Sequence, residues 1–515
     1  MSRVPKIIIV PHLERKHHKE RKNVFSEETN LRLLRMLRGD SVLLTASQDL
    51  QLELAAAIRQ RMLPWFWSIS LHIALLILLA FMMLSVPRLE PLDILSGMVH
   101  LPPSDMPMNV LPGDVEGNAP NVIDNPQTGA PTVDVEPTNP QIEPIHASPG
   151  LNFSGRDIDR RDTILGGGGG GSGQTDEAVL AGLHWLVKVQ QPNGAWHFSG
   201  QFFQNAPQRY EDPLAATAMA LLAFQGYGVT PDSRHPKLVE FARPVRRGWE
   251  WLLQQQNPDG SFFIESSQRT THRFYTHGFC TIALCELLAM TGDESLRERA
   301  QRAIDYCVQH QSLRSGGWRY LPDRFSDQSD VSVTGWIVLA LKSGQGAGLT
   351  IPPGTYDGVT KFLDSMMKLN NQYTYREEEP VPRISMTAEA LLCRILLGWK
   401  RDDRRLAAGV RLILDSPPSF TEHYQRNVYY WFFATQTLYH YGGNEWQTWN
   451  STMREQLLRH QETTGEESGS WNPLKPERDE WGHLYGRLYT TCMSLYILEV
   501  YYRHQRIFPE GLLGN

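Results

Sequence analysis

One unit recurs along the C-terminal two thirds of this chain, and it limits the possible folds more than any other feature. It consists of a helix-patterned segment, a Gln-rich end, a turn holding glycine and an aromatic residue, and then a second, more apolar helical segment. Trp185 and Leu186 lead to Gln190, Gln191, Gly194 and Trp196; Trp249 and Leu252 lead to Gln255, Gln256, Gly260 and Phe262. A third copy runs from Gln311 to Gly316, Gly317 and Trp318, and the last from Gln461 to Gly469 and Trp471. Each part has a physical reason: the glycine permits a tight turn, a Gln amide can satisfy carbonyls at a helix end, and the aromatic wedges between neighbouring units.

Mostly apolar segments at 213–227, 276–290, 331–344, 384–398, 427–441 and 485–502 alternate with one-faced segments near 177–191, 243–256, 295–311, 355–369, 402–415 and 445–461. A helix that is apolar all round belongs inside, and a helix with one apolar stripe belongs outside. Six such pairs predict an all-α fold, a closed α6/α6 toroid rather than an open solenoid, over residues 174–510. Five scattered cysteines, without CxxC or zinc spacing, read as buried free thiols, and no metal or other cofactor is expected.

The Gln-Gly-aromatic copies resemble the QW repeats of squalene–hopene cyclases and the related repeats of protein prenyltransferases. That resemblance covers about 340 residues and implies the terpenoid-cyclase type of ring. It says less about chemistry, because such rings host several activities. A squalene–hopene cyclase is expected to carry Asp-x-Asp-Asp-Thr-Ala at the start of an inner helix, with the middle Asp protonating an alkene. The matching stretch here is Asp330-Val331-Ser332-Val333-Thr334-Gly335-Trp336, so one carboxylate of three remains and Ser332 stands at the donor position. Protein prenyltransferases are expected to hold zinc with an Asp-x-Cys pair and a distant His, and no Asp-x-Cys occurs; His277 and Cys280 lack a third ligand. A thioester domain would need Cys-Gly-x-Gln, which is also missing.

Carboxylates at the inner-helix starts, Asp212, Asp330, Glu389 and the pair Asp479-Glu480, could serve a glycosidase or lyase, or could simply cap their helices, the commoner role. With His277, the first three are the only weak catalytic candidates. The expected ligand cavity is ringed by Tyr275, His277, Asp330, Trp336, Tyr429, Tyr430, Arg487 and Tyr489, an aromatic set suited to isoprenoid or other apolar molecules and equally to plain core. Trp196, Gly194, Gly260, Phe262, Gly317, Trp318 and Trp471 are expected to be structural.

Upstream, residues 65–86 run 22 positions without a formal charge, a helix of about 33 Å, long enough for a hydrocarbon core of ~30 Å. Residues 1–63 carry twelve Lys/Arg against seven Asp/Glu, whereas residues 89–150 carry nine Asp/Glu and no Lys or Arg. That bias predicts a single-pass signal anchor at 64–87 with a cytoplasmic N-terminus and an exported C-terminal domain. Residues 1–63 read as a basic tail with short amphipathic helices, expected to hold anionic lipid in preference to a specific protein partner, which the sequence does not name, and the Pro-, Asp- and Gly-rich stretch 88–173 as a disordered linker. No feature calls for nucleic acid. The reading this supports is a membrane-tethered toroid that binds a ligand or acts as a scaffold without protonation-driven cyclisation. An enzyme on isoprenoid lipid and a carbohydrate-active hydrolase or lyase stand as alternatives, and whether the ring is an enzyme at all is left undecided by the residues.

Overall fold

The computed structural model describes residues 150–166, 170–198, 211–264, 273–422 and 425–508. Among them the chain is helical, with isolated antiparallel bridges and no extended strand. After a single 3-10 turn at Ser154–Arg156, α1 spans Ile158–Gly166. The outer helices are α2 (Gly173–Val189), α4 (Val239–Gln254), α6 (Arg297–Gln309), α8 (Pro353–Met366), α10 (Arg404–Leu414) and α12 (Gly443–Arg459). The inner ones are α3 (Pro213–Gly226), α5 (Arg273–Thr291), α7 (Val331–Gly346), α9 (Ile384–Leu396), α11 (Val428–Tyr441) and α13 (Gly482–Leu498), followed by a last turn, α14 (Val500–Arg503).

Each inner helix packs on the next and α13 packs back on α3, so six helices close a ring, while α12 meets α2 outside it. The all-α toroid expected from the repeat is therefore the architecture of the described residues. Burial follows the pattern that predicted it. In α3 every residue from Leu214 to Gly226 is buried, whereas α4 buries only Phe241, Ala242, Val245, Gly248, Trp249 and Leu252, one stripe at three- and four-residue spacing.

The repeat works as a stitch between neighbouring units. The Gln190 amide donates to the carbonyl of Gly194 in its own turn and to that of Pro244 in the next outer helix. Gln256 does the same with Gly260 and Arg299, Gln311 with Gly316 and Thr355, and Gln461 with Gly469 and Ala178, which seals the last unit to the first. The turn glycines Gly194, Gly260, Gly316 and Gly469 have φ between 84° and 95°. A Cβ at any of them would come within 2.1 to 2.4 Å of a carbonyl oxygen on the adjoining outer helix. Left-handed backbone and close approach thus both demand glycine. Gly317, expected in this role, has ordinary φ, but its Cβ would meet Thr334 Oγ1 at 2.7 Å, so it too is needed for fit. The indole N–H of Trp196, Trp318 and Trp471 donates to Leu186, Cys307 and Leu457, carbonyls near the end of the preceding outer helix.

The expected linker boundary at 173 is corrected. Residues 150–166 pack across the C-terminal ends of the inner helices instead of trailing free. Leu151 N donates to Lys342 O, and Gln505 N donates to Asn152 O. Arg156 is buried, with Nε on the Arg503 carbonyl at 2.8 Å and Nη1 on Glu286 at 2.7 Å. Arg161, fully buried, donates to the Tyr227 carbonyl and lies 3.8 Å over the Tyr227 ring. An Arg-rich, Gly-flanked stretch reads as solvated from sequence; here the surrounding carboxylates and ring faces make burial tolerable. Among the described residues no helix is long and apolar enough to cross a membrane. The anchor expected at 65–86, the basic tail and the linker as far as residue 149 lie outside the described residues.

Candidate functional site

The N-terminal halves of the inner helices, with the loops that precede them, surround a chamber of ≈ 880 Å³ including its open mouth. Ten aromatic side chains line it: Phe198, Tyr275, Phe279, Tyr320, Trp336, Tyr375, Tyr429, Trp481, Tyr485 and Tyr489. Glu211, Asp212, Thr276 and Ser332 are its polar lining, with Ala215 and Met219 completing an apolar side. Trp336 forms the floor. Its ring stacks on Phe432 (centroids 5.3 Å apart, planes 5° apart) and meets Phe279 at 4.3 Å. Below it lies a second, much smaller void of ≈ 20 Å³ that Trp336 also lines.

Carboxyls stand around the chamber, each with at least one hydrogen bond, and Asp330 Oδ2 is buried without a hydrogen-bond partner. Asp212 caps α3, with Oδ1 accepting from the backbone N–H groups of Leu214 and Ala215 and Oδ2 from the Thr276 hydroxyl at 2.5 Å. Asp330 caps α7 by accepting from Val333 N at 2.8 Å, and the same oxygen accepts from Ser332 Oγ at 2.9 Å. Ser332 Oγ in turn lies 2.5 Å from the Tyr275 hydroxyl. The hydroxyls of Tyr320 and Tyr375 are hydrogen-bonded to each other, and Tyr375 acts on the Asp330 carboxyl. Glu389 sits mid-helix on α9, in the space that Gly335 of α7 leaves open, and takes both oxygens to the Tyr429 hydroxyl at 3.1 and 2.9 Å. Asp479 caps the start of α13 through Gly482 N at 2.6 Å and also accepts from Val428 N, while Glu480 accepts from the Asn427 amide.

Loss of solvent lifts four of these acids. Burial pushes Asp330 up to about 6 and Glu480 up to about 8, raises Asp212, and raises Glu389 well above the usual carboxylate range. The phenols of Tyr275, Tyr429 and Tyr489 are raised by the same cause, so they remain hydroxyl donors.

Of the residues expected around the cavity, Tyr275, Trp336, Tyr429 and Tyr489 line it, with Asp330 immediately behind Ser332. Three do not. His277 is turned between α5 and the outer layer: its Nδ1 accepts from Phe262 N and its Nε2 lies 3.0 Å from the Ala303 carbonyl, with burial lowering its pKa to about 4. It fills the place that Thr217, Thr334, Thr387 and Thr491 fill in other units, each accepting the backbone N–H of the turn aromatic. That recurring Thr was the signal that would have marked His277 as a stitch. The Tyr430 hydroxyl points to the carbonyls of Ile413 and Ser416, and Arg487 pairs with Glu467 and Ser470, both away from the chamber. Helical spacing places a residue at an inner-helix start but leaves its direction open, and Tyr430 follows Tyr429 by one step, about 100° round the helix. Tyr320 and Tyr375 escaped notice because they come from inter-helix loops, where no period marks a lining position.

Among the described residues no His, Cys, Asp or Glu cluster could hold a metal ion, and all five cysteines are buried and unpaired. The fold and site together define an all-α double ring with an aromatic chamber at the N-terminal ends of its inner helices. By sequence the chain matches no protein-family model and no curated protein. By structure it is similar to a type II terpene cyclase from Scytonema, solved with geranylgeranyl dihydroxybenzoate (13% identity, TM-score 0.42, covering 66% of this chain and 99% of that one). It is also similar to the α-1,6-mannanase GH76A of Salegentibacter sp. HEL1_6, solved with α-1,6-mannotriose (11% identity, TM-score 0.44, covering 64% of this chain and 99% of that one).

Proposed function

We propose that the ring is a binding chamber for an apolar molecule, carried on a membrane-tethered chain and exported from the cytoplasm, and that it does not run protonation-driven cyclisation. The observation that carries this reading is the lining: among the described residues, ten aromatic side chains and four polar ones around a space of ≈ 880 Å³ that includes its open mouth. Such a surface gains by covering apolar ligand area at about 25 cal/mol per Å². The alternative of a sugar-cleaving site is disfavoured by the carboxyls. Asp330 and Glu389 stand behind Ser332 and Tyr429, and of the carboxyls on the described lining Asp212 is held by the α3 cap and Thr276, which leaves Glu211 rather than a facing pair. The cyclase reading lacks its acid, since Ser332 stands at the donor position and Asp330 is spent on the cap and on Ser332. An isoprenoid enzyme keeps one specific point in its favour: Asp330, at about 6, retains a proton beside the chamber in mildly acidic conditions.

Native mass spectrometry of the full chain extracted from its own membranes is the test. A stoichiometric apolar molecule retained with the chain and lost on Trp336→Ala is the expected result. A chain carrying only bulk phospholipid would overturn the reading. The tether through residues 65–86 is tested separately by protease digestion of sealed, right-side-out cells, in which the C-terminal ring is expected to be cut and residues 1–63 protected.

A further inference from the structure

The chamber has a sign as well as a shape. Among its described lining residues Glu211 and Asp212 are acidic and none is basic. Asp330 and Glu389 stand one side chain further back, behind Ser332 and Tyr429. Two basic groups lie against lining rings: Arg383, 4.9 Å over the Tyr375 ring, is paired with Glu379, and Arg319, 5.2 Å over Tyr320, acts on Asp330. An anionic ligand, a diphosphate for example, would meet carboxyls and no cation among the described lining residues.

Aromatic rings with carboxyls behind them recognise a different charge. Ring faces are the negative ends of their quadrupoles and attract a cation within about 6 Å, most strongly where water is excluded. Trp336, Phe279 and Tyr429 cluster at the floor with centroids 4.3 to 6.2 Å apart, and the Glu389 carboxyl is bonded to the last of them. Ala215 and Met219 leave the α3 side of the chamber apolar.

We propose that the molecule bound here is an organic cation, with an alkylated ammonium group seated at the floor among Trp336, Phe279 and Tyr429 and its apolar remainder along the α3 wall. This rests on the chamber being a binding site for an apolar molecule, and it adds the charge. Burial raises both acids, and among the described residues no cation acts on Glu389, the carboxyl bonded to Tyr429 at the floor, so an incoming ammonium would supply its counter-charge; Asp330 already feels Arg319. A quaternary ammonium suits the site better than a primary amine, since its methyl groups need no hydrogen-bond acceptor and contact the rings directly.

The test compares two probes of nearly equal shape, phenyltrimethylammonium and its neutral carbon isostere tert-butylbenzene. Each is titrated calorimetrically into the full chain in lipid nanodiscs, with empty nanodiscs as the blank. The cation is expected to bind at least about tenfold more tightly than the isostere. In the double variant Glu389→Gln, Asp330→Asn that preference is expected to fall toward unity while the isostere binds as before, which also shows that the variant chamber is intact. Equal or tighter binding of the isostere overturns the cation and leaves the apolar chamber standing. Failure of both probes to bind overturns the cation and the chamber reading together.

Discussion

Replacing Gly469 by alanine should open the ring at its seam. Gly469 has φ +93°, and a Cβ there would lie 2.1 Å from the Ala181 carbonyl oxygen in α2, a backbone atom that cannot rotate away. Holding alanine in left-handed backbone costs about 1–2 kcal/mol. Moving α2 off to make room also breaks the two hydrogen bonds by which the Gln461 amide ties Gly469 to Ala178, each contributing about 0.5–1.5 kcal/mol. A loss of roughly 2–5 kcal/mol follows, apart from any disturbance of Trp471, whose indole is fully buried two residues on. Gly465→Ala supplies the control, because Gly465 also has positive φ (+74°) but nothing lies within 4 Å of its added Cβ. It should lose only the backbone cost. Urea unfolding of both variants against the parent, with the slope checked to confirm a common unfolded state, measures the difference. If Gly469→Ala is no less stable than Gly465→Ala, the close approach at the seam is not what the glycine is for, and the stitch is wrong.

Three other perturbations follow from the same structure. Arg156→Met, in the stretch that sequence reads as linker, leaves the fully buried Glu286 with only the longer contacts to Arg503 at 3.7 Å and His504 at 3.6 Å, and should cost about 3 kcal/mol in thermal or urea unfolding, part of it recovered by adding Glu286→Gln. Burial works to raise the Glu286 pKa, but Arg156 and Arg503 overcome it and hold the group well below the usual carboxylate range. Its contribution is therefore present above the unfolded pKa of ~4.3 and lost as pH falls through the folded value, a loss the Arg156→Met variant should show at higher pH than the parent. Asp330→Asn keeps an acceptor for Val333 N but removes an acid raised by burial to about 6; a raised acid stabilises below its unfolded pKa of ~3.9 and loses that stability as pH climbs through about 6, so the parent should weaken relative to the variant across pH 4–6, and parallel unfolding curves would refute this. Trp336→Ala removes the floor of the chamber, and should cost about 3–5 kcal/mol and release the molecule that the parent retains, read by unfolding and by mass spectrometry of the variant; unchanged stability would mean that Trp336 is not the floor.

How much of this was legible beforehand depends on how far a residue's role is local. The helix pairs were legible because burial period is written into each helix separately: α4 alternates one wet and one dry face, and α3 has no wet face at all. The stitches were legible in kind, since Gln, Gly and an aromatic at short spacing have few other joint uses, and the carboxylates Asp212 and Asp330 were named as caps, which they are. Direction round a helix was harder to read. Tyr429 and Tyr430 are adjacent and chemically alike, yet one faces Glu389 in the chamber wall and the other the carbonyls at the end of α10.

By itself, then, the sequence determined which segments are helices, which layer each occupies and where the turns need glycine, because those properties follow from period, propensity and backbone conformation within a few residues. Only the tertiary structure decided what fills the middle. Tyr320 and Tyr375 reach the chamber from loops 55 residues apart, Glu389 finds room because Gly335 on another helix has no side chain, and Arg156 is buried because Glu286 and the Arg503 carbonyl, far along the chain, are there to receive it. Burial of a polar group depends on partners, and partners are brought together by ring closure, which no stretch of sequence contains.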